Sequence, residues 1–428
     1  MKINLDRTIA PDSYPVEDFV LLKPEIFSTR NQCKVFSLKN ASQPILHFSI
    51  VIKGGKLVEE KQGAAALTSK MMGEGVKGMT SAQIHEYLDS FGAIISVSND
   101  IDSFTITGHC LNRYFEPVME MVKRYLTEPT FSEKEFQHIL QVMIQQKILS
   151  EEKTSFLATK LFREKFYGNK HPYGSSLTSA ELSEFPLHEL ENYFNNHVIG
   201  APFEVFISGD VDDKHIKIID EQLGDLNISS EAANLIYPDF VSKIASDELK
   251  IYQEKEDAVQ TSLRIGCPTF KLPHDDLEAF SVMNETLGGY FGSRLMRNIR
   301  EDKGLSYGIH SSFRNEINQG YFLIASDVKK DLKDLAIDEI RKEIDVLATE
   351  VVSQEELLTV KNYMAGSFVM SINSNISLLE ITKGLYKKGL PFDYYDNYVS
   401  RIQSITEQDI MAMVNKYLKG DLLEIAVG

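Results

Sequence analysis

The chain has 428 residues, 43% hydrophobic and 25% charged, enough for two or three domains with an ordinary buried core. Its net charge of −17 excludes a sequence-independent nucleic-acid binder, which needs a basic footprint. The charge suits attraction of basic peptides or a plain solvated acidic surface. No run of about eighteen apolar residues occurs, and the first residues, MKINLDRTIAPDSYPVEDF, hold no secretory apolar core. The expectation is therefore no membrane span and a cytoplasmic location. Cys33, Cys110 and Cys267 are far apart and form neither a disulfide framework nor a metal-like spacing.

Cys33 to Leu38 and Ile45 to Ile52 are predicted strands, split by the turn-like Asn40 to Pro44. Gly63 to Met72 is predicted helical, and so is Ser81 to Phe91 with Ile84, Tyr87 and Leu88 inward. Ile95 and Val97 alternate with serines, and Phe104 and Ile106 with threonines, about Asn99-Asp100. That is the period of a half-buried antiparallel hairpin. Long helices follow at Tyr114 to Leu126 and Ser132 to Leu149, the second opened by the capping-box pattern Ser132-Glu133-Lys134-Glu135. A helix from Ser155 to Phe166 precedes the loop GNKHPYG, Gly168 to Gly174. Leu187 to Asn196 reads as helix and Phe203 to Ile207 as strand.

The second half repeats this order, with a strand at Ser262 to Gly266, a hairpin closing at Asn318-Gln319-Gly320, a helix from Leu332 to Leu347 and another opened by the capping-box pattern Ser353-Gln354-Glu355-Glu356. Phe131-Ser-Glu-Lys-Glu-Phe136 matches Val352-Ser-Gln-Glu-Glu-Leu357 at an offset of 221. Phe203-Glu-Val-Phe-Ile-Ser-Gly209 matches Leu422-Leu-Glu-Ile-Ala-Val-Gly428 at 219. Two matches at nearly one spacing indicate a duplicated domain of roughly 210 to 220 residues. The expected division is 1–226, a polar join at 227–256, and 257–428. Long helices mixed with antiparallel hairpins give the α+β class, with a helix-covered, antiparallel-rich sheet in each half.

The most patterned stretch is Leu287 to Phe313, LGGYFGSRLMRNIREDKGLSYGIHSSF. Ala279, Met283 and Leu287 keep helical spacing, which Gly288-Gly289 are expected to break. A second helix is predicted from Ser293 as N-cap, with Leu295, Met296 and Ile299 on one side and Gly304 at its end. Arg300 falls in its last turn. From Leu305 the period becomes two, placing Leu305, Tyr307 and Ile309 on one strand face, so an arginine and a tyrosine meet around a tight helix-to-strand turn. Gly288, Gly289 and Gly292 do not form a phosphate loop, since its lysine and Ser/Thr are absent and no strand immediately precedes.

Over almost its whole length the sequence resembles the insulinase-like metallopeptidases, the family of pitrilysin and the mitochondrial processing peptidase subunits. The resemblance rests on LDRTIAP, the GG-x-L-x-E segment from Gly54 to Glu59, HPYG from His171, Gly209-Asp210, and above all LGGYFGSRL with REDKGLSYGI. It implies two α/β roll domains of one fold, and two chains closing around a peptide. Active members hold zinc on an inverted H-x-x-E-H helix, whose positions fall here on Ala66, Ser69 and Lys70. The third ligand falls near Gln145 or Gln146. None of these binds zinc as that motif does. His85-Glu86-x-x-Asp89 and His188-Glu189-x-x-Asn192 begin like a direct zinc motif but lack the second histidine and read as solvated helix faces. His171 reads as a turn or packing residue.

In the family an arginine and a tyrosine seven residues apart reach the scissile region of the substrate, and Arg300 and Tyr307 stand at those positions. The alternative is structural: Arg300 paired with Glu301 or Asp302, and Tyr307 in the core beside Leu305 and Ile309. Gly288, Gly289 and Gly292 are, by resemblance, a flexible substrate-touching loop. The whole implies a zinc-free subunit with no cofactor of its own, inactive alone, whose partner is a zinc-bearing chain and whose substrate is a peptide. A non-enzymatic peptide-binding or scaffold protein, homodimeric in one form, is the competing class.

Overall fold

The computed structural model describes residues 14–40, 43–229, 239–316 and 319–428. The quoted opening LDRTIAP, part of the predicted Asn40 to Pro44 turn, Asn318 of the second hairpin, and 230–238 of the join lie outside them.

The first half begins with β1 (Glu25–Ser28), β2 (Lys34–Lys39), β3 (Ile45–Lys53), α1 (Ala64–Met71) and the short ladder of β4 (Gly75–Val76) and β5 (Met79–Thr80). It continues with α2 (Ser81–Ser90), β6 (Ile94–Asn99), β7 (Ser103–Leu111), α3 (Phe115–Thr127), α4 (Glu133–Glu151) and α5 (Thr154–Tyr167). It closes with α6 (Ser179–Ser183), α7 (Leu187–His197), β8 (Phe203–Gly209) and α8 (Asp213–Leu223). The second half has β9 (Lys250–Gln253), β10 (Gln260–Pro268), α9 (Leu277–Asn284), β11 (Ser306–Glu316) and β12 (Gln319–Lys329). Then come α10 (Lys333–Thr349), α11 (Gln354–Ser371), α12 (Asn375–Lys387), α13 (Tyr398–Ser404), α14 (Glu407–Met413) and β13 (Leu423–Val427). Ser132 and Ser353 cap α4 and α11 as expected, their hydroxyls accepting the Glu135 and Glu356 amides at 3.3 and 3.2 Å.

Each half is built on one sheet, and the two sheets share a topology. Strand order is β6-β7-β3-β8-β2 in the first, with β1 added at its edge, and β11-β12-β10-β13-β9 in the second. The last pair of each, β2 with β8 and β9 with β13, is parallel, and the other pairs are antiparallel. The chain is therefore two homologous α/β roll domains in tandem. β9 lies within the stretch expected as the join, so its end belongs to the second sheet.

One face of each sheet buries against helices of its own half. Leu46, Phe48, Ile50 and Ile52 of β3 pack with Leu67, Val118 and Leu190, and Leu263 and Ile265 of β10 with Phe280 and Ile340. The other face is covered by a helix from the opposite half. Phe162 and Phe166 of α5 bury against Leu423, Ile425 and Val427 of β13. Leu379 of α12 buries against Phe36, Val51 and Phe206 of the first sheet. These exchanging helices start at Thr154 and Asn375, 221 positions apart, the offset read from the sequence.

Polar contacts fix the exchange. Arg264 donates to Thr159 Oγ1 at 2.9 Å and to the Ser155 carbonyl at 3.0 Å, and Tyr386 donates to Glu204 at 2.6 Å. Two-sided cover explains why β3, ILHFSIVIK, is apolar almost without interruption. It also corrects the half-buried reading of β7, whose polar positions Ser103 and Thr105 are buried too, Ser103 accepting from Lys387 of α12 at 2.5 Å.

Phe162→Ala should lower stability by about 3–5 kcal/mol. Because Phe162 links the two halves, urea unfolding followed by far-UV circular dichroism and by tyrosine absorbance should keep one shared transition at a lower midpoint. Two separated transitions would show that the halves fold independently.

Candidate functional site

The segment joining α9 to β11 builds the site. Met283 and Leu287 are fully buried, as their helical spacing anticipates, whereas Ala279 is only half-buried and its neighbour Phe280 fills the core in that turn. The helix does not break at the glycines: it widens into a π-helical turn over Glu285–Gly289. A Cβ on Gly288 would lie 2.8 Å from the Ser311 nitrogen, and one on Gly289 2.6 Å from the Glu285 carboxyl carbon. Gly288 therefore serves close approach to β11 and Gly289 leaves room for the Glu285 carboxylate, and the helical stretch ends directly after them, where Tyr290 is extended. Burial pushes the Glu285 carboxyl above its usual range.

A hydrogen-bonded turn follows, with the Ser293 amide donating to the Tyr290 carbonyl at 3.1 Å and Phe291 and Gly292 at its corners. The Tyr290 ring is 4.7 Å from that of Tyr363, and a Cβ on Gly292 would meet the Tyr290 ring at 2.8 Å. Gly292 is thus a packing position within an anchored turn. The next helical stretch starts when the Ser293 carbonyl accepts the Arg297 amide at 3.0 Å. The Ser293 hydroxyl, expected as the cap, is buried and has no hydrogen-bond partner among the described residues. Side chains on the polar face hold this stretch instead. Arg294 forks onto Glu356 with two bonds of 2.8 Å, and the Asn298 amide reaches Glu339 and Glu343 at 3.1 and 2.6 Å. Met296–Asp302 is again π-helical, and Gly304, at φ +61°, ends it as predicted while Leu305 donates to the Ile299 carbonyl at 2.8 Å.

Arg300 sits in that last turn. Among the described residues no carboxylate lies within 4.0 Å of its guanidinium, so pairing with Glu301 or Asp302 is not what holds it. Its guanidinium carbon lies 4.6 Å from the centroid of the Phe291 ring. Tyr307 departs from the period-two expectation. Ser306 pairs with Val328 but Ile309 with Ser326, so β11 carries one more residue than β12 across this stretch, a β-bulge. Leu305 and Ile309 enter the core, while Tyr307 is turned out and 91% exposed. The core reading of Tyr307 fails by that one residue. Ser306 and Ser326 fix the bulge, their hydroxyls donating to the Asp327 and Gly308 carbonyls at 2.7 and 3.0 Å.

Tyr307 rims an open groove of about 450 Å³ with Arg264, Met296, His310 and Asp327. Burial, then Arg264 and Arg314, press His310 below the usual histidine range. Arg300 is not among the residues that line this groove, so helix end and strand present the two side chains separately.

The positions aligned with a zinc helix lie on α1. Gly63 occupies its N-cap with φ +98° and has no side chain to cap with. Glu59 does so instead, accepting the Gly63 and Ala65 amides at 3.0 and 3.3 Å. Burial pushes the Glu59 carboxyl up to about 7, against the pull of those amides and of Lys56. Ala66 is half-buried, and Lys70 is exposed at the helix end. Ser69 is buried, its hydroxyl 2.9 Å from the Ala66 carbonyl and 3.2 Å from Asn99 Oδ1. Gln145 and Gln146 are exposed on α4. Zinc takes imidazole, thiolate or carboxylate donors, so this set does not fit the metal. Among the described residues no three His, Cys, Asp or Glu side chains converge as metal ligands. His85 is exposed with its Nδ1 2.8 Å from the Ser81 carbonyl, and His188 is exposed. His171 stacks on Tyr167 at 5.1 Å, a packing role.

Residues 34–179 match the family described as Insulinase (Peptidase family M16), and 184–364 match that described as Peptidase M16 inactive domain. The chain belongs to the insulinase-like M16 family. A Helicobacter pylori protein named Non-peptidase homolog YmxG is 23% identical over 93% of this chain and 92% of its own. A Bacillus subtilis protein named Uncharacterized zinc protease YmxG is 22% identical over 74% of this chain and 76% of its own. Among solved structures, a peptidase M16 inactive domain from Pseudomonas fluorescens aligns with a TM-score of 0.85 at 22% identity, over 95% of this chain and 98% of that one. A protease from Helicobacter pylori aligns with a TM-score of 0.86 at 16% identity, over 95% and 100%. These structures share the M16 fold.

Three residues of this M16 chain gained no role from the sequence. Phe291 stands inside the glycine motif, where an aromatic between glycines was the available signal. Glu356 reads as the closing member of a capping box, yet its carboxylate is spent on Arg294. Glu59 lies in the quoted GG-x-L-x-E segment and proves to be a helix cap. Glu356→Ala, which strands a mostly buried Arg294, should cost about 2 kcal/mol by thermal or urea denaturation. For Glu59, a folded pKa above the free value of 4.5 means the folded state binds the proton more tightly. Its stabilising effect is complete below about 4.5 and declines as pH rises to about 7, by about 2–3 kcal/mol after allowing for partial exposure. Denaturation midpoints across this window should fall less for Glu59→Gln than for the native chain. Parallel curves would show that Glu59 does not titrate there.

Proposed function

We propose that this chain is the zinc-free subunit of a two-chain insulinase-like peptidase, lending Arg300 and Tyr307 to a peptide bound at a zinc-bearing partner of the same fold. The observation that carries this reading is Tyr307. A bulge sets it outside the core at 91% exposure, seven positions from an arginine that no described carboxylate neutralises. A phenol and a guanidinium are suited to hold a peptide carbonyl and the negative charge that develops on it. Ala66, Ser69 and Lys70 supply neither metal ligand nor base, so the water-activating metal belongs to the partner and the chain alone is inactive. No described helix is long and apolar enough to cross a membrane. The name Non-peptidase homolog, carried by the Helicobacter pylori relative, favours loss of self-sufficient catalysis. It fits equally a peptide-binding scaffold acting as a homodimer, which is the second reading.

The test is hydrolysis of an internally quenched peptide, with zinc present, by this chain, by an H-x-x-E-H chain from the same genome, and by their mixture. Only the mixture should cleave, and the isolated chain should carry far less than one zinc. Arg300→Ala and Tyr307→Phe should each slow the mixture by about 100-fold while leaving association and the melting temperature unchanged. Equal activity of the zinc-bearing chain alone, or a silent double variant, would replace this reading with the scaffold.

A further inference from the structure

We infer that Phe291 is the positioning residue for Arg300, an inference that rests on the proposed role of Arg300 in trans. The ring lies 4.6 Å from the guanidinium carbon and is itself 63% exposed, so the contact does not serve core packing. It is nonetheless rigidly presented. Phe291 occupies the corner of the turn closed by the Ser293 amide on the Tyr290 carbonyl, and the Tyr290 ring is seated on Tyr363 and against Gly292. Below it, the Arg294 fork on Glu356 fixes the start of the helical stretch whose end carries Arg300.

A long arginine side chain at a helix end samples many rotamers, and selecting one for a ligand costs binding energy. An aromatic face that holds the guanidinium reduces that cost. It also leaves the N–H donors, which match carbonyl and carboxylate oxygens, unspent on any carboxylate among the described residues. Sequence-level resemblance points to the arginine. The structure assigns to its aromatic neighbour the task of aiming it.

The Arg300 side-chain Nε–H resonance, assigned by its loss in Arg300→Lys, reads the contact in the intact chain without any partner. Ring current should displace it in the native protein. Phe291→Leu should return it to the position of a free arginine at an unchanged melting temperature, and Phe291→Tyr should restore the displacement. In the mixture with the zinc-bearing chain, Phe291→Leu should lower kcat/KM for the quenched peptide by roughly three- to ten-fold, with Phe291→Tyr near native. An Nε–H resonance indifferent to Phe291→Leu overturns the inference. So does unchanged hydrolysis by Phe291→Leu where Arg300→Ala abolishes it, leaving the trans site standing. If Arg300→Ala is itself silent, the proposed function fails and the positioning role fails with it.

Discussion

A sheet with two apolar faces must be covered twice, and in this chain neither half can do so alone. Own-half helices take one face of each sheet, and the second face is closed by α5 or α12 reaching across from the other half. Burial of aromatic side chains such as Phe162, Phe166, Phe36 and Phe206 supplies most of the stabilisation there. Arg264 and Tyr386 set the position of each crossing helix through directed hydrogen bonds. The two halves are consequently one body, and the sheet that carries the candidate site is held by parts of both.

On that body the site is made by local irregularity. Two π-helical turns, an anchored four-residue turn and a bulge lie between α9 and the regular part of β11. The π-helical turns and the bulge each depart from ideal geometry by about one residue, and such departures re-aim side chains. Gly288 lets the widened helix approach Ser311, Gly292 seats Tyr290, and the serine bonds at Ser306 and Ser326 stabilise the bulge. The result is an arginine over a ring and a tyrosine in solvent, both outside the core that supports them.

Long-range order was legible in the sequence because it rests on periodicity and duplication. The 221-residue offset recurs between the starts of α4 and α11 and between those of α5 and α12, and most predicted elements lie within a few residues of the observed ones. The exchange itself was not legible, since an amphipathic pattern states that a face is buried but not against which sheet. Ala66, Ser69 and Lys70, the positions that the resemblance aligns with a zinc helix, could be weighed one by one because ligand chemistry is a property of side-chain type. Tyr307 was misplaced for the opposite reason. Alternation assumes two residues per repeat, and a bulge adds one without any marker in Leu305-Ser-Tyr-Gly-Ile309 beyond its glycine. Glu356 and Ser293 show the same limit at helix starts, where a capping pattern names candidates but tertiary partners decide which bonds form.

The exposure of Tyr307 has a consequence for how this position changes over time. Its side chain contributes almost nothing to the packing that selection for a folded chain can sense, whereas Leu305 and Ile309 on either side are held by the core. Substitution at 307 is therefore invisible to folding and visible only to whatever the phenol touches from outside. Under the proposed function, the residue found there among relatives of this chain becomes a record of ligand contact uncontaminated by stability.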